Sequence, residues 1–258
     1  MTRLDPDWQM TWAFLLAITL LGLLMKGFAA LRMRALGQPL RPFIFTPLAA
    51  PTSLARCQPV AAVSKVVLEA VLLLAALVLS YWLYGKLRLT LQPPAYVMSY
   101  LATGPLIYAT ELFASVVRLL WLPHGRLLPR GHERPWLARG PADFWGRRWN
   151  IWFSDWFRFA LFQPMRRWPV LAVIVIFFVS GVMHELVVNL PLFLVTGRAP
   201  FGSMMIYFLL QAPALLVERR FLRQRPVLRV VLVWLIVFVP VPLMINEGLL
   251  RTLHLWPG

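Results

Sequence analysis

The sequence holds 258 residues, 60% of them hydrophobic and only 14% charged, with a mean hydropathy of +0.69. That is too apolar for a water-soluble domain, and one buried core cannot account for several runs that each approach the roughly 20 residues needed to cross about 30 Å of hydrocarbon. The net charge of +16 would suggest nucleic acid in a soluble protein, but here the arginines stand between apolar runs with no recognition motif, so membrane lipid headgroups are the expected partners and nucleic acid is not.

Six spans are expected in chain order: 8–30, 66–84, 95–120, 168–188, 201–217 and 227–246. The fifth is short enough to be re-entrant or tilted. Before the first span, Arg3 is set against Asp5 and Asp7, unlike the basic start of a secretory signal peptide. The first connection carries Arg32, Arg34, Arg41, Arg56 and Lys65, and the fifth carries Arg219, Arg220, Arg223, Arg225 and Arg229. The third, 122–167, is long, basic and rich in Trp. Lys and Arg in short loops are retained on the cytoplasmic side, so these three connections are expected there and both termini opposite. No repeat or low-complexity tract divides the chain, and 1–258 is expected to form one membrane domain. Cys57 is the only cysteine, which precludes an intrachain disulfide and a cysteine-based zinc cluster.

Within the third connection, residues 144–162 project as an amphipathic helix. Trp145, Trp149, Trp152 and Trp156 are spaced four, three and four apart and fall on one stripe, with Arg147, Asn150, Ser154 and Arg158 opposite. Such a helix fits the bilayer interface, as a surface anchor or as the wall of a site. Asn150 favours the second use, because an amide both donates and accepts beside a reacting carbonyl or hydroxyl.

His184 and Glu185 follow sixteen almost wholly apolar residues of the fourth span. Ionisable groups inside hydrocarbon need a partner or a wet cavity and are functional hypotheses by default; a histidine bonded to a neighbouring helix is the structural alternative. A neutral imidazole can take a proton from an alcohol, which makes His184 the candidate base. His124, His132 and His254 are expected at solvated surfaces. Glu69 and Glu111 are also intramembrane acids, with an arginine or another helix as their expected partners. The sequence around His184 lacks the second His of a zincin helix, Ser180 is not in a nucleophile elbow, and no Gly-rich phosphate loop is present.

Asp143-Phe144-Trp145-Gly146-Arg147-Arg148-Trp149-Asn150, followed by Ser180-Gly181-Val182-Met183-His184-Glu185, resembles the wax synthase branch of the membrane-bound O-acyltransferases. The likeness is concentrated in residues 130–195. It implies an all-α polytopic helix bundle around an intramembrane chamber, acyl-CoA as donor and a lipid-soluble alcohol as acceptor. His184 matches the family's catalytic histidine, and Asn150 the polar residue that shares its chamber. No metal or resident cofactor is implied. On electrostatic grounds Arg147 and Arg148 are candidates for holding CoA phosphates, and Trp149, Ser154 and Glu185 are further candidates for substrate contact.

The expected function is therefore transfer of a fatty acyl group to a long-chain alcohol, giving a wax ester. A sterol, a diacylglycerol-like lipid or a natural-product hydroxyl would serve as acceptor by the same chemistry. A transporter or a non-catalytic membrane subunit, relaying protons through His184, Glu69 and Glu111, is the alternative of another class, and the absence of an inverted repeat counts against it. The chain is shorter than plant wax synthases, so its acyl tunnel is expected to be built differently, completed by a second copy, or shaped for another acceptor. The expected location is a cell membrane or the endoplasmic reticulum, as a multi-pass protein.

Overall fold

The computed structural model describes residues 5–60 and 62–256. Arg3, counted above in the charge of the N-terminal tail, lies outside them. The chain runs through α1 (Pro6–Ala35), α2 (Arg41–Ile44), α3 (Pro51–Leu54), α4 (Val63–Leu91), α5 (Ala95–Leu101), α6 (Thr103–Trp121) and α7 (Pro141–Asp143), then α8 (Ile151–Phe157), α9 (Pro169–His184), α10 (Leu190–Thr196), α11 (Ser203–Phe221), α12 (Pro226–Phe238), α13 (Val241–Met244) and α14 (Glu247–Thr252). Two residues each of β1 (Gln58–Pro59) and β2 (Arg126–Leu127) pair antiparallel. This is an all-α polytopic membrane bundle.

Local chemistry sets the helix ends. The Asp5 carboxylate caps α1 by accepting from Asp7 N at 2.8 Å, and Pro6, Pro169 and Pro226 stand in the first turns of α1, α9 and α12, where proline's missing N–H costs no bond and its φ already suits the helix. Gln92, in the left-handed region, ends α4 ahead of Pro93 and Pro94.

Among the described residues five helical stretches are long and apolar enough to cross a membrane: Pro6–Ala35, Val63–Leu91, Ala95–His124, Pro169–Thr196 and Pro226–Met244. They contain five of the six expected spans, to within two residues at either end. The remaining one, the fifth in chain order (201–217), lies mostly inside α11, whose last turns bring in Glu218, Arg219 and Arg220 and whose Met204, Tyr207, Phe208, Gln211, Ala212, Ala214, Leu215 and Glu218 are buried. It packs along α9 on this buried face and exposes Ile206, Leu209, Leu210 and Val217 on the other. The outer helices α1 and α4 expose Leu16, Leu23, Leu24, Leu72 and Leu79, as lipid contact requires.

Lipid tails are as apolar as leucine, so close packing and polar contacts join such helices in place of hydrophobic expulsion from water. Gly181 allows a close approach between α9 and α11. A Cβ there would lie 2.8 Å from Met205 Sδ and 3.0 Å from Met205 Cα.

The expected continuous helix over 144–162 is not formed. Trp149 is extended and Asn150 is left-handed (φ 40°, ψ 63°), which separates a wide turn at 144–148 from α8. Consequently the indoles do not share a stripe at the lipid interface. Trp145 Nε1 donates to Gln211 Oε1 at 3.1 Å, Trp152 Nε1 to Pro129 O at 3.1 Å and Trp156 Nε1 to Met25 O at 2.8 Å, while Trp149 stacks on Phe144. Each ring docks on a different element inside the protein. The spacing of four and three was compatible with a helix, but the conformation of Asn150 divides it.

Candidate active site

His184 closes α9, whose helical bonds place Val173, Ile176, Phe177, Ser180 and His184 along one face of a cavity. The opposite walls come from Trp145, Gly146, Trp149, Asn150, Phe153, Ser154, Phe157 and Arg158 on the 142–163 segment, and from Phe208, Leu215 and Arg219 on α11. The cavity measures about 470 Å³. From the level of Val173 to that of His184 it follows α9 for about 16 Å at 1.5 Å per residue. The arrangement of α11 matches this axis: Met205 packs on Gly181 and the Phe208 ring lies 4.3 Å from the His184 ring, whereas Arg219, eleven residues on, marks the other end. Arg158, Gln163 and Arg219 are exposed there, and the intervening wall is mainly aromatic and aliphatic.

His184 Nδ1 lies 2.7 Å from the carbonyl oxygen of Ser180, one turn back. A carbonyl only accepts, so Nδ1 carries the proton, and in the neutral ring Nε2 keeps its lone pair. The Phe208 ring holds the imidazole's orientation from the side. Asn150 contributes a complementary group. Its Oδ1 caps α8 by accepting from Phe153 N at 3.5 Å, and among the described residues its Nδ2 has no hydrogen-bond partner. The cavity is thus lined by one residue with a basic nitrogen and one with a spare amide donor.

Glu185 points away. Its Oε1 accepts from Gly202 N at 3.0 Å and Met205 N at 3.1 Å, and its Oε2 from Asn189 Nδ2 at 2.6 Å. It satisfies orphan N–H groups in the first turn of α11, where a negative charge also suits the helix dipole. The neighbouring positions of the His-Glu pair therefore divide the work: His184 faces the cavity and Glu185 fixes the helix that carries Phe208. Glu185, a candidate for substrate contact, is not among the residues that line the cavity.

Arg147 and Arg148 likewise do not line the cavity. Arg147 Nε pairs with Asp143 Oδ1 at 3.1 Å from an otherwise exposed side chain. Arg148 Nε pairs with Asp143 Oδ2 at 2.7 Å and its Nη1 donates to Glu133 O and Arg134 O. Burial pushes the Asp143 carboxyl up, but the Arg148 hydrogen bond, the Arg139 N–H and the two guanidinium charges outweigh it and hold it below its ordinary value. The arginines that do reach the cavity are Arg158 and Arg219, and neither forms an ion pair among the described residues. Arg158 was legible on the polar face shared with Asn150 and Ser154. Arg219 and Phe208 carried no local signal, because α11 meets the motif only in the folded chain. Ser154 and Trp149 line the cavity, with Ser154 Oγ donating to Gly146 O at 3.4 Å.

The expected solvated role for His132 is also overturned. It is 7% exposed and meets Glu111 of α6 with Nδ1 2.5 Å from Oε1. Glu69 pairs with Arg118 at 3.1 Å and Arg130 at 3.2 Å, so both intramembrane acids are engaged by basic groups, as membrane burial demands.

Comparison with known proteins places these residues in context. Residues 128–210 match the model of the membrane bound O-acyl transferase family. The chain is 36% identical over 124 residues to "Probable long-chain-alcohol O-fatty-acyltransferase 7" of Arabidopsis thaliana, covering 42% of this chain and 35% of that protein. It is 37% identical over 102 residues to "Long-chain-alcohol O-fatty-acyltransferase" of Simmondsia chinensis, covering 36% and 28%. Over 96 residues it is 34% identical to "Acyl-CoA--sterol O-acyltransferase 1" of Arabidopsis thaliana, covering 33% and 26%. These matches span about a quarter to a third of the length of the relatives, and the family match over 128–210 contains both the 142–163 wall and His184.

Proposed function

We propose that this chain, whose residues 128–210 carry the membrane-bound O-acyltransferase pattern in its wax synthase-like form, transfers a fatty acyl group from acyl-CoA to the hydroxyl of a long-chain alcohol. The observation that carries the reading is His184, its Nδ1 committed to the Ser180 carbonyl and its lone pair left on Nε2, in one cavity with the spare amide of Asn150.

The alcohol hydroxyl gives its proton to Nε2 as its oxygen attacks the thioester carbonyl. The oxyanion that forms accepts a hydrogen bond from Asn150 Nδ2, a fixed donor in a site with apolar walls, where such a bond is worth more than in water. Collapse of the tetrahedral species breaks the C–S bond, and the proton on Nε2 passes to the departing CoA sulfur, which restores the neutral imidazole. Base catalysis of this kind contributes about 10² to 10⁴ in rate.

Arg158 and Arg219 at the exposed end suit the phosphates of CoA, and the apolar wall between them and His184 suits the acyl chain. By the charge rule this end faces the cytoplasm. The relative named as a sterol acyltransferase supports a sterol as the second acceptor class. Incubating purified protein with labelled acyl-CoA and a panel of long-chain alcohols, sterols and diacylglycerols tests the proposal. Ester formation with an alcohol is expected; the absence of transfer to every acceptor would contradict it.

A further inference from the structure

Outside the cavity, the stretch 128–133 lies along α6 in the antiparallel sense. Arg118 Nε donates to Leu128 O at 3.2 Å, a Cβ on Gly131 would sit 3.0 Å from Ala114 Cβ, and His132 meets Glu111. The three anchor points on α6 are thus 118, 114 and 111, one face of a helix at successive turns. On its other side the same stretch is bonded to the motif. Ile151 N donates to Gly131 O at 2.8 Å and Glu133 N to Arg148 O at 2.8 Å, so the backbone of Trp149 and Asn150 is bracketed between two hydrogen bonds to a strap fixed on α6. The His132 ring also meets Trp149 edge-on, with centroids 4.3 Å apart.

We propose that the His132–Glu111 pair is a positioning device for the candidate active site: it fixes the strap that holds Asn150 in its left-handed conformation and Trp149 against the cavity. Neither His132 nor Glu111 lines the cavity, so the pair acts through Asn150. Three features make the pair suited to this task. It is largely buried, with side-chain exposures of 7% and 15%, so the contact is little screened by water. It joins a membrane helix to an irregular segment that has no helical ladder of its own. And Asn150 occupies a left-handed backbone region, which a non-glycine residue holds only where its surroundings over-determine it.

The inference rests on the acyl-transfer reading, and its test separates the two. His132→Phe keeps a ring against Trp149 and loses the ring nitrogen that meets Glu111. His132→Gln keeps a side-chain donor for Glu111. Each is assayed for kcat and KM in the wild-type and Asn150→Ala backgrounds, with thermal melting of the purified protein as a folding control. His132→Phe is expected to lower kcat by about 10- to 100-fold, the scale of a small misplacement of a reacting group, with KM little changed, and His132→Gln to recover most of the rate. In the Asn150→Ala background His132→Phe is expected to add almost nothing, because the group it positions is already gone. Glu111→Leu, read by the same cycle, carries the comparison if His132→Phe does not fold. Full activity in His132→Phe, effects that multiply in the double variant, a change confined to KM, or failure of both variants to fold would overturn the inference. Inactive wild-type protein would instead contradict the acyl-transfer reading itself.

Discussion

At Asn150 a backbone demand and a chemical one meet. The residue is left-handed (φ 40°), its Oδ1 caps α8, and its Nδ2 has no hydrogen-bond partner among the described residues, which under the proposed mechanism leaves it for a reactant. Asn150→Gly carries no left-handed penalty and costs only a few tenths of a kcal/mol as a cap, whereas Asn150→Ala loses the cap, about 1 kcal/mol, and meets the left-handed penalty of about 1–2 kcal/mol that asparagine, like glycine, largely escapes. Melting should therefore rank the glycine variant above the alanine variant, while acyl transfer should fall similarly in both, and further than in Ser154→Ala, whose hydroxyl makes only a long bond to Gly146 O. Glycine activity near wild type would show that the side chain matters for folding and not for the reaction. The Asp143 clamp makes a separate expectation about pH. Its carboxyl is held below its ordinary 3.8, so its contribution to stability is fully present above about pH 4 and is lost as pH falls through the depressed folded value. The difference in melting temperature between wild type and Asp143→Asn should be largest near neutrality and shrink in acid; a difference that grows in acid would reverse the sign.

Among the elements, those legible in advance were the ones whose cause is local. An apolar run of some twenty residues must be a helix in lipid, since no water is there to satisfy its backbone, and the outer spans follow from that alone. The segment 144–162 was misread as one helix because a periodicity of four and three is blind to a single left-handed residue. The carbonyls that receive the indoles, Met25 and Pro129, are distant in sequence. In place of one helix the chain uses wide turns, with Trp149 N bonding Phe144 O at 2.8 Å and Gln163 N bonding Arg158 O at 3.0 Å, and a third directly after His184 at Glu185–Asn189. Such i→i+5 turns re-aim side chains and often accompany functional sites. The pairing of α9 with α11 depends on Gly181, so Gly181→Ala must separate the helices that carry His184 and Phe208. It is expected to cost about 1–3 kcal/mol through overpacking and to lower turnover; an unchanged melting temperature would show that Met205 gives way freely.

For the whole molecule, the two halves of the site stand a full span apart in sequence, with 144–162 on the cytoplasmic side and His184 deep in the fourth span, so a shared chamber requires that the segment dip inward or the span tilt. The structure joins them by laying the 142–163 segment along α9. Buried acids hold it there: Asp155 accepts from Ser53 Oγ and pairs with Arg56, Glu218 accepts from Ala142 N and pairs with Arg229, and Glu111 meets His132. The basic composition that seemed only a topology signal thus also closes the bundle. Because Arg158, Gln163 and Arg219 mark the exposed end, Gln163→Cys in a Cys57→Ser background should react with an impermeant thiol reagent from the cytoplasmic side; labelling only from the other side would invert the orientation. The central claim is that His184 is the base of an acyl transfer carried out in this cavity, and it is tested most directly by the acyl-transfer rate of purified His184→Ala that melts like wild type. A fall of about 10² to 10⁴ is expected, and near-normal transfer by that folded variant would contradict the account.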